Sequence, residues 1–523
     1  MATGTLLGGA ASADAEPRAV AGGEERAATI AAGDPRYDAF LRGDNHRFVG
    51  RPDHVRVATS TRQVVDAVSE AVARGRRIAV RSGGHGWEDF TTSSDIKVLL
   101  DLSLMDQVQF DRSKRAFSIE PGTTLGEAYR SLYSRWGVAF PGGDCPEVGV
   151  GGHIVGGGHG PLSRRFGATV DYLHAVEVVV VDRSGRARAV VASRDRHDPN
   201  RELWWAHTGG GGGNFGIVTK YWLRDPDVAS ADPTALLPKP PARWLVGDLM
   251  WRWDSLTEQA FHALVREHGA WFERNSSAHS PYANLSGWLV LGHRAGGFVS
   301  LTAMIDDSLP DAAGLLNAHF GEITARMGVA PVVDRRQSVP WLYRMTYPGA
   351  GKWGDRDTRR YKAKSAFLRK AYSDGQISTL YRYLDGAAPA NPNALVILLP
   401  AGGRVNSVPA GATAMAHRGS VLKMICGASW RTEAEDAANL AWVRGLYRDL
   451  YADSGGVPVP GEASEGAYIN YADADLADPV WNASGAPWTS LYYQGNYPRL
   501  QAVKKRWDPR DVFRHALSVR LPD

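Results

Sequence analysis

Residues 148–160 read Val-Gly-Val-Gly-Gly-His-Ile-Val-Gly-Gly-Gly-His-Gly, a run that few folds accommodate. Each glycine inside a helix or strand costs about 1 kcal/mol relative to alanine, so neither a stable helix nor a strand interior is expected there. A flexible linker would be polar and serine-rich, whereas Ile154, Val155, Pro161 and Leu162 interrupt this run. Compact domains seldom keep long unstructured loops. The run is therefore expected to lay bare backbone against a flat ligand.

Two further glycine loops each bracket a nucleophile: His85 in Arg81-Ser82-Gly83-Gly84-His85-Gly86, and Cys145 in Pro141-Gly142-Gly143-Asp144-Cys145-Pro146. A histidine in a glycine turn is usually an ordinary loop residue, and a lone cysteine usually a small hydrophobe. The glycines favour function here, because they let backbone N–H groups crowd against a phosphate or ring. A metal is the competing use of His85, Cys145, His153 and His159, but the close ligand pairs typical of zinc are missing. No G-x-S-x-G elbow signals a hydrolase. A third run holds a G-x-G-x-x-G match at Gly211, Gly213 and Gly216. It follows a helix-like segment and precedes a strand-like one, the reverse of the dinucleotide fingerprint, which disfavours a nicotinamide enzyme.

At 523 residues the chain is long enough for two domains. With 60 basic and 56 acidic residues it has no basic block to track nucleic acid, and no apolar run approaches a membrane span. Its two cysteines, Cys145 and Cys426, exclude a disulfide framework, although one bridge is formally possible. Residues 1–35 read as a disordered leader. Their small residues resemble the tail of an export signal but lack its basic start and full apolar segment. A cytoplasmic protein, monomer or homodimer, is expected, export being the alternative.

Ser60-Thr61 caps an expected helix ending at Gly75, and Ile78-Ala79-Val80 reads as a strand feeding the His85 loop. The pattern recurs: a strand over 116–120, a helix capped by Thr123-Thr124 and ended by Gly137, then Val138-Ala139-Phe140 as a strand feeding the Cys145 loop. Strand-like runs over 176–181 and 187–191 form a hairpin around Asp182-Arg183-Ser184-Gly185. A proline-rich boundary follows residue 225. Beyond it, strand-like segments (283–290, 297–304, 394–399, 421–430) alternate with helical ones (256–273, 312–327, 432–451). The fold class is thus α+β, with units at 36–225 and 226–460 and a C-terminal return over 461–523. Within that return lies Tyr468-Ile469-Asn470-Tyr471, whose spacing alone fits edge-strand aromatics as well as a phenolic base.

R-S-G-G-H at 81–85, G-D-C-P-x-V-G-V-G-G-H at 143–153 and Y-x-N-Y at 468–471 together resemble the berberine-bridge-enzyme-like branch of the FAD-linked oxidases. The likeness covers nearly the whole chain. It implies a two-domain PCMH-type FAD-binding fold of the vanillyl-alcohol-oxidase class, with a substrate domain of antiparallel sheet plus helices. Within that family the chain most resembles actinobacterial sugar and alcohol oxidases of antibiotic pathways, such as the glycopeptide hexose oxidase, and is similar also to the aclacinomycin and oligosaccharide oxidases.

The resemblance implies FAD bonded bicovalently, His85 to the 8α-methyl carbon and Cys145 to C6. Arg81, Ser82, Gly83, Gly84, Gly86 and Gly142 would surround it, the glycines after Ser82 facing the pyrophosphate. Gly149, Gly151, Gly152, His153, Val155 and Gly156 would pack along the isoalloxazine, with Asn470 beside them. Gly216, Ile217 and Val218 would lie near the adenosine. Val155 matches the position that controls oxygen access. Tyr471 is the expected base, Tyr468 its support, and Lys423 a cation that lowers the phenol pKa. His159, Phe166 and Ala401 depart from the family pattern at places expected to line the substrate pocket.

The implied reaction is hydride transfer from an alcohol, a sugar hydroxyl of a glycosylated natural product, with O₂ reduced to H₂O₂. The alternatives are an oligosaccharide or polyketide-glycoside oxidase, an oxidative cyclase, a flavin dehydrogenase that refuses oxygen and, from another class, a flavin-retaining binding protein with little turnover.

Overall fold

The computed structural model describes residues 26–347, 359–386 and 388–523; most of the expected leader lies outside them. Within the span expected to be leader, Ala28–Ala31 is a strand that pairs antiparallel with His54–Val57. Burying Ile30 against Val55, Val57 and Leu99 is what orders it.

The first unit contains two sheets. In one, Ala28–Ala31, His54–Val57, Val98–Asp101 and Ile78–Arg81 lie in that order, the last three mutually parallel. In the other, Val108–Asp111, Ala116–Ile119, Ile217–Leu223, Leu173–Val181 and Ala187–Ser193 form an antiparallel five. Helix Thr61–Ala73 begins where expected, with the Ser60 hydroxyl accepting from Gln63 N. Its buried Val64, Ala67, Val68 and Ala71 pack on Val98, Leu100, Val179 and Val181 and join the two sheets. Helix Leu125–Trp136 carries a Thr124–Glu127 capping box and ends at left-handed Gly137.

Two expectations fail nearby. Val138, Ala139 and Phe140 are not a strand; they are wholly buried, and Ala139 N donates to Pro238 O across a loop. Burial alone explains their apolar run. The glycine run does contain a helix, Val150–Val155, between Gly149 and Gly156. Its cost in glycine propensity is offset by packing, since Val150, Ile154 and Val155 are all in the core.

The second unit is an antiparallel eight-stranded sheet, ordered Val333–Pro340, Arg243–Arg252, Phe298–Asp306, Ser286–Gly292, Leu395–Pro400, Leu422–Trp430, Arg360–Leu368 and Ser464–Gly466. Helices Glu258–Arg274, Ala312–Thr324, Asp374–Asp385 and Asp436–Leu450 belong to the same unit. The last strand lies inside the segment assigned to the C-terminal return. That segment first completes the eight-stranded sheet before it crosses to the first unit. Side chains alternate along a strand, so Val396, Leu398, Met424 and Cys426 enter the core while Ile397, Leu399, Lys423 and Ile425 face a cavity between the units.

Candidate active site

The four glycine segments, at 81–86, 141–146, 148–160 and 211–216, converge on one cavity of about 640 Å³. His85 and Cys145 both line it, as do Gly83, Gly84, Gly86, Gly149, Gly151, Gly152, Val155, Gly216, Ile217 and Val218. The backbones cross tightly: a Cβ on Gly83 would lie 2.4 Å from Gly149 N. A Cβ on Gly152 would meet nothing within 4 Å. That opening faces the cavity, so the wall is shaped for something flat rather than for neighbouring side chains.

Arg81 and Ser82 line the cavity as well, and their side chains also brace the loop. Arg81 Nε donates to Asp101 Oδ2 at 2.8 Å and Nη1 to Phe40 O at 2.6 Å, while Ser82 Oγ donates to Pro121 O. Both side chains fold the loop and are occupied in doing so. Gly142 and Gly156, by contrast, are outside the lining. A Cβ on Gly142 would strike the Tyr129 hydroxyl at 2.6 Å, and Gly156 lets Asn470 approach so closely that a Cβ would be 1.9 Å from its Oδ1. Asn470 Nδ2 donates to His153 O at 2.9 Å and to the Tyr468 hydroxyl at 3.0 Å. The Cys145 loop is fixed by Tyr129, which donates to Gly143 O at 2.7 Å, and by His153 Nε2, which accepts from Gly143 N at 3.2 Å. Burial pulls His153 down to about 4, so the imidazole is neutral and able to accept.

Tyr468, Asn470 and Tyr471 are brought to this cavity by the returning C-terminal segment. The Tyr468 hydroxyl accepts from Gly158 N at 3.0 Å, and its ring meets that of Tyr471 edge-on at 5.0 Å. Lys423, 2% exposed, reaches from the opposite wall. Its Nζ donates to the Tyr471 oxygen at 3.5 Å and lies 4.8 Å from that ring. Burial lowers Lys423 to about 8, against the attraction of Asp144. The expected depression of the Tyr471 phenol is not found. Removal from water pushes it well above the usual phenol range, and Tyr468, Asp144 and Cys145 add to the rise.

His159 does line the cavity, and its Nε2 is buried without a hydrogen-bond partner. Phe166 and Ala401 do not. The Phe166 ring carries the Arg165 guanidinium at 4.9 Å, and Ala401 O accepts from buried Arg164 at 2.9 Å. Pro400 takes the wall position instead.

The sequence reading overlooked several lining residues. Trp87 stacks on Tyr471 with centroids 4.3 Å apart and planes 5° from parallel. It stands two residues past His85 inside an already suspect block, so it was discoverable. His515, stacked on Phe90 at 4.0 Å and held at about 4 by burial, was discoverable in the same way. Asp44, 3.8 Å from His85 Nδ1 and 3.2 Å from Arg359, and Trp288, under the Arg344 guanidinium at 5.2 Å, had no local motif.

A cavity of this volume with a glycine-backbone wall, a histidine and a cysteine on that wall, and a tyrosine–lysine pair facing it fits a dinucleotide-sized flavin. Comparison with known proteins agrees. The model for an FAD binding domain matches residues 52–188, and that for berberine and berberine-like proteins matches residues 467–520. The chain is 53% identical to aclacinomycin-N/aclacinomycin-A oxidase of Streptomyces galilaeus, over 99% of this chain and 95% of the relative. It belongs to the berberine-bridge-enzyme-like FAD-linked oxidases.

As a member of that family the protein is an FAD-dependent oxidoreductase of the oxidase type. A crystal structure of aclacinomycin oxidoreductase superimposes with a TM-score of 0.92 at 51% identity, covering 95% of this chain and all of the other. A glycopeptide hexose oxidase complexed with teicoplanin gives 0.90 at 47%, covering 95% and 99%. Of the two kinds of antibiotic-pathway relative expected, the aclacinomycin type is thus the more similar. Among the described residues no helix is long and apolar enough to cross a membrane.

Proposed function

We propose that this oxidase removes a hydride and a proton from a sugar hydroxyl of a glycosylated natural product, with FAD held by His85 and Cys145. The observation that carries the reading is the meeting of His85, Cys145, Tyr471 and Lys423 on one cavity. The sugar-bearing substrate is carried over from the relatives' names, an aclacinomycin oxidase and a hexose oxidase acting beside a glycopeptide.

FAD, when bound, would supply the hydride acceptor and the route by which the electron pair reaches O₂, the hydride and the hydroxyl proton together accounting for the two hydrogens of H₂O₂. The chain's own residues handle the proton. Tyr471 and Lys423 share it: the pair lacking one proton exists as phenol beside amine or as phenolate beside ammonium, and the 3.5 Å contact lets the two interconvert. The substrate hydroxyl gives its proton to the Tyr471 oxygen. Tyr468, fixed by Gly158 N and Asn470, holds the Tyr471 ring edge-on. Val155, 2% exposed and small, leaves oxygen a path beside the glycine wall.

Acid precipitation tests the attachment. A yellow pellet that persists in His85→Ala and fades when Cys145→Ala is added supports both bonds, while a colourless wild-type pellet over yellow supernatant refutes them. Peroxide release on mixing with glycosylated anthracyclines and free hexoses tests the reaction, and silence across such a panel would instead favour a flavin-retaining binding protein.

A further inference from the structure

Six charged side chains lie together behind the site, and the chemistry above uses none of them. Lys362 and Lys364, on one face of strand Arg360–Leu368, have side chains 4% and 2% exposed. Lys362 Nζ donates to Glu88 Oε1 and to Asp473 Oδ1, each at 2.7 Å. Lys364 Nζ donates to Asp473 Oδ2 at 2.6 Å and lies 2.8 Å from Asp475 Oδ2. Arg444 grips Asp475 with Nε at 3.0 Å and Nη2 at 2.8 Å. Three cations face three anions. Charges this deep are costly even when paired, and well-packed apolar residues would serve stability as well or better.

Their placement suggests what they do. Glu88 directly follows Trp87, and Asp473 is two residues past Tyr471. Glu88 Oε1 also accepts from Ala474 N at 3.2 Å, so one carboxylate binds the loop carrying Trp87 to the segment carrying Tyr471. Lys362 fastens both to a strand whose neighbour, Leu422–Trp430, bears Lys423. All three members of the site (Trp87, Tyr471 and Lys423) come from distant parts of the chain and meet over this cluster.

We propose that Glu88, Lys362 and Asp473 are positioning residues, an ionic lock that keeps Trp87 flat on Tyr471 and so holds the Tyr471 oxygen at the reacting hydroxyl. The proposal rests on the reading of Tyr471 as the proton acceptor.

The test uses flavin-loaded enzyme with rates normalised to bound flavin. Glu88→Gln keeps the shape and removes the charge. It is expected to lower kcat about thirtyfold with KM within twofold, and to change near-ultraviolet circular dichroism while the far-ultraviolet spectrum stays the same. Trp87→Phe should cost little more in the Glu88→Gln background than the background already lost, because the stack is broken once. Asp473→Asn carries the same expectation where Glu88→Gln fails to accumulate. A kcat within twofold of wild type, or losses for Glu88→Gln and Trp87→Phe that multiply, would overturn the lock. If wild-type enzyme oxidises no alcohol, the functional reading fails by itself. The near-ultraviolet signal then decides the lock, an unchanged spectrum in Glu88→Gln overturning it.

Discussion

The two walls of the cavity are built from different materials. The wall on the first unit is mostly backbone, made by glycines that let loops cross at Gly83 and Gly149 and leave Gly152 facing open space. The wall on the eight-stranded sheet is made of side chains at alternate positions: Trp288, Ile397, Lys423 and Ile425. A backbone surface fits one shape and tolerates no additions, whereas a side-chain surface is changed residue by residue. The first suits a cofactor that never varies, the second a substrate that does. Four substitutions set the walls against each other.

The largest effect is expected on the backbone wall. Gly152→Val adds atoms only where the cavity lies, so the protein should fold with near-normal far-ultraviolet circular dichroism and carry almost no flavin. A yellow, fully loaded variant would show that the cofactor does not rest there. Next comes Tyr471→Phe, which should keep its flavin and lose about 10²–10⁴ in kcat, the usual worth of a general base; retention of a tenth of wild-type turnover would transfer the role elsewhere.

The third expectation concerns pH. Because Lys423 is lowered to about 8 and the working form of the pair lacks one proton, kcat/KM should rise about tenfold per pH unit up to about pH 8 and then level. Lys423→Met should abolish that rise, and a profile flat from pH 6 to 9 in wild type would remove the pair from proton transfer. The smallest effect belongs to the side-chain wall. Trp288→Ala should raise KM about tenfold, or ~1.4 kcal/mol, with kcat and flavin content nearly unchanged. An equal loss in kcat would mean that Trp288 acts on the chemistry as well.

Legibility followed the same division. The capped helices Thr61–Ala73 and Leu125–Trp136 and the hairpin around Asp182 were readable because caps and alternation are local signals. The glycine loops were readable as a wall because glycine is the residue of close approach. Strand Arg360–Leu368 was missed, since Lys362 and Lys364 in its sequence look like solvent-facing charges and only tertiary partners bury them. Arg243–Arg252 and Val333–Pro340 were passed over in a stretch where arginines and prolines mask the alternation. Phe166 and Ala401 were misplaced for a related reason: sequence neighbours of a lining residue share its loop but not its direction.

Asn470 pressing into the space above Gly156 joins parts of the chain that are made far apart in time. Tyr471 is translated 326 residues after Cys145, roughly 15–65 s later at about 5–20 residues per second. A nascent chain can thus complete its glycine loops and present His85 and Cys145, the proposed tethers, well before Tyr471, the proposed proton acceptor, exists beside them. On the proposed reaction, which releases peroxide, a ribosome-bound fragment without Tyr471 would have no means of turning over.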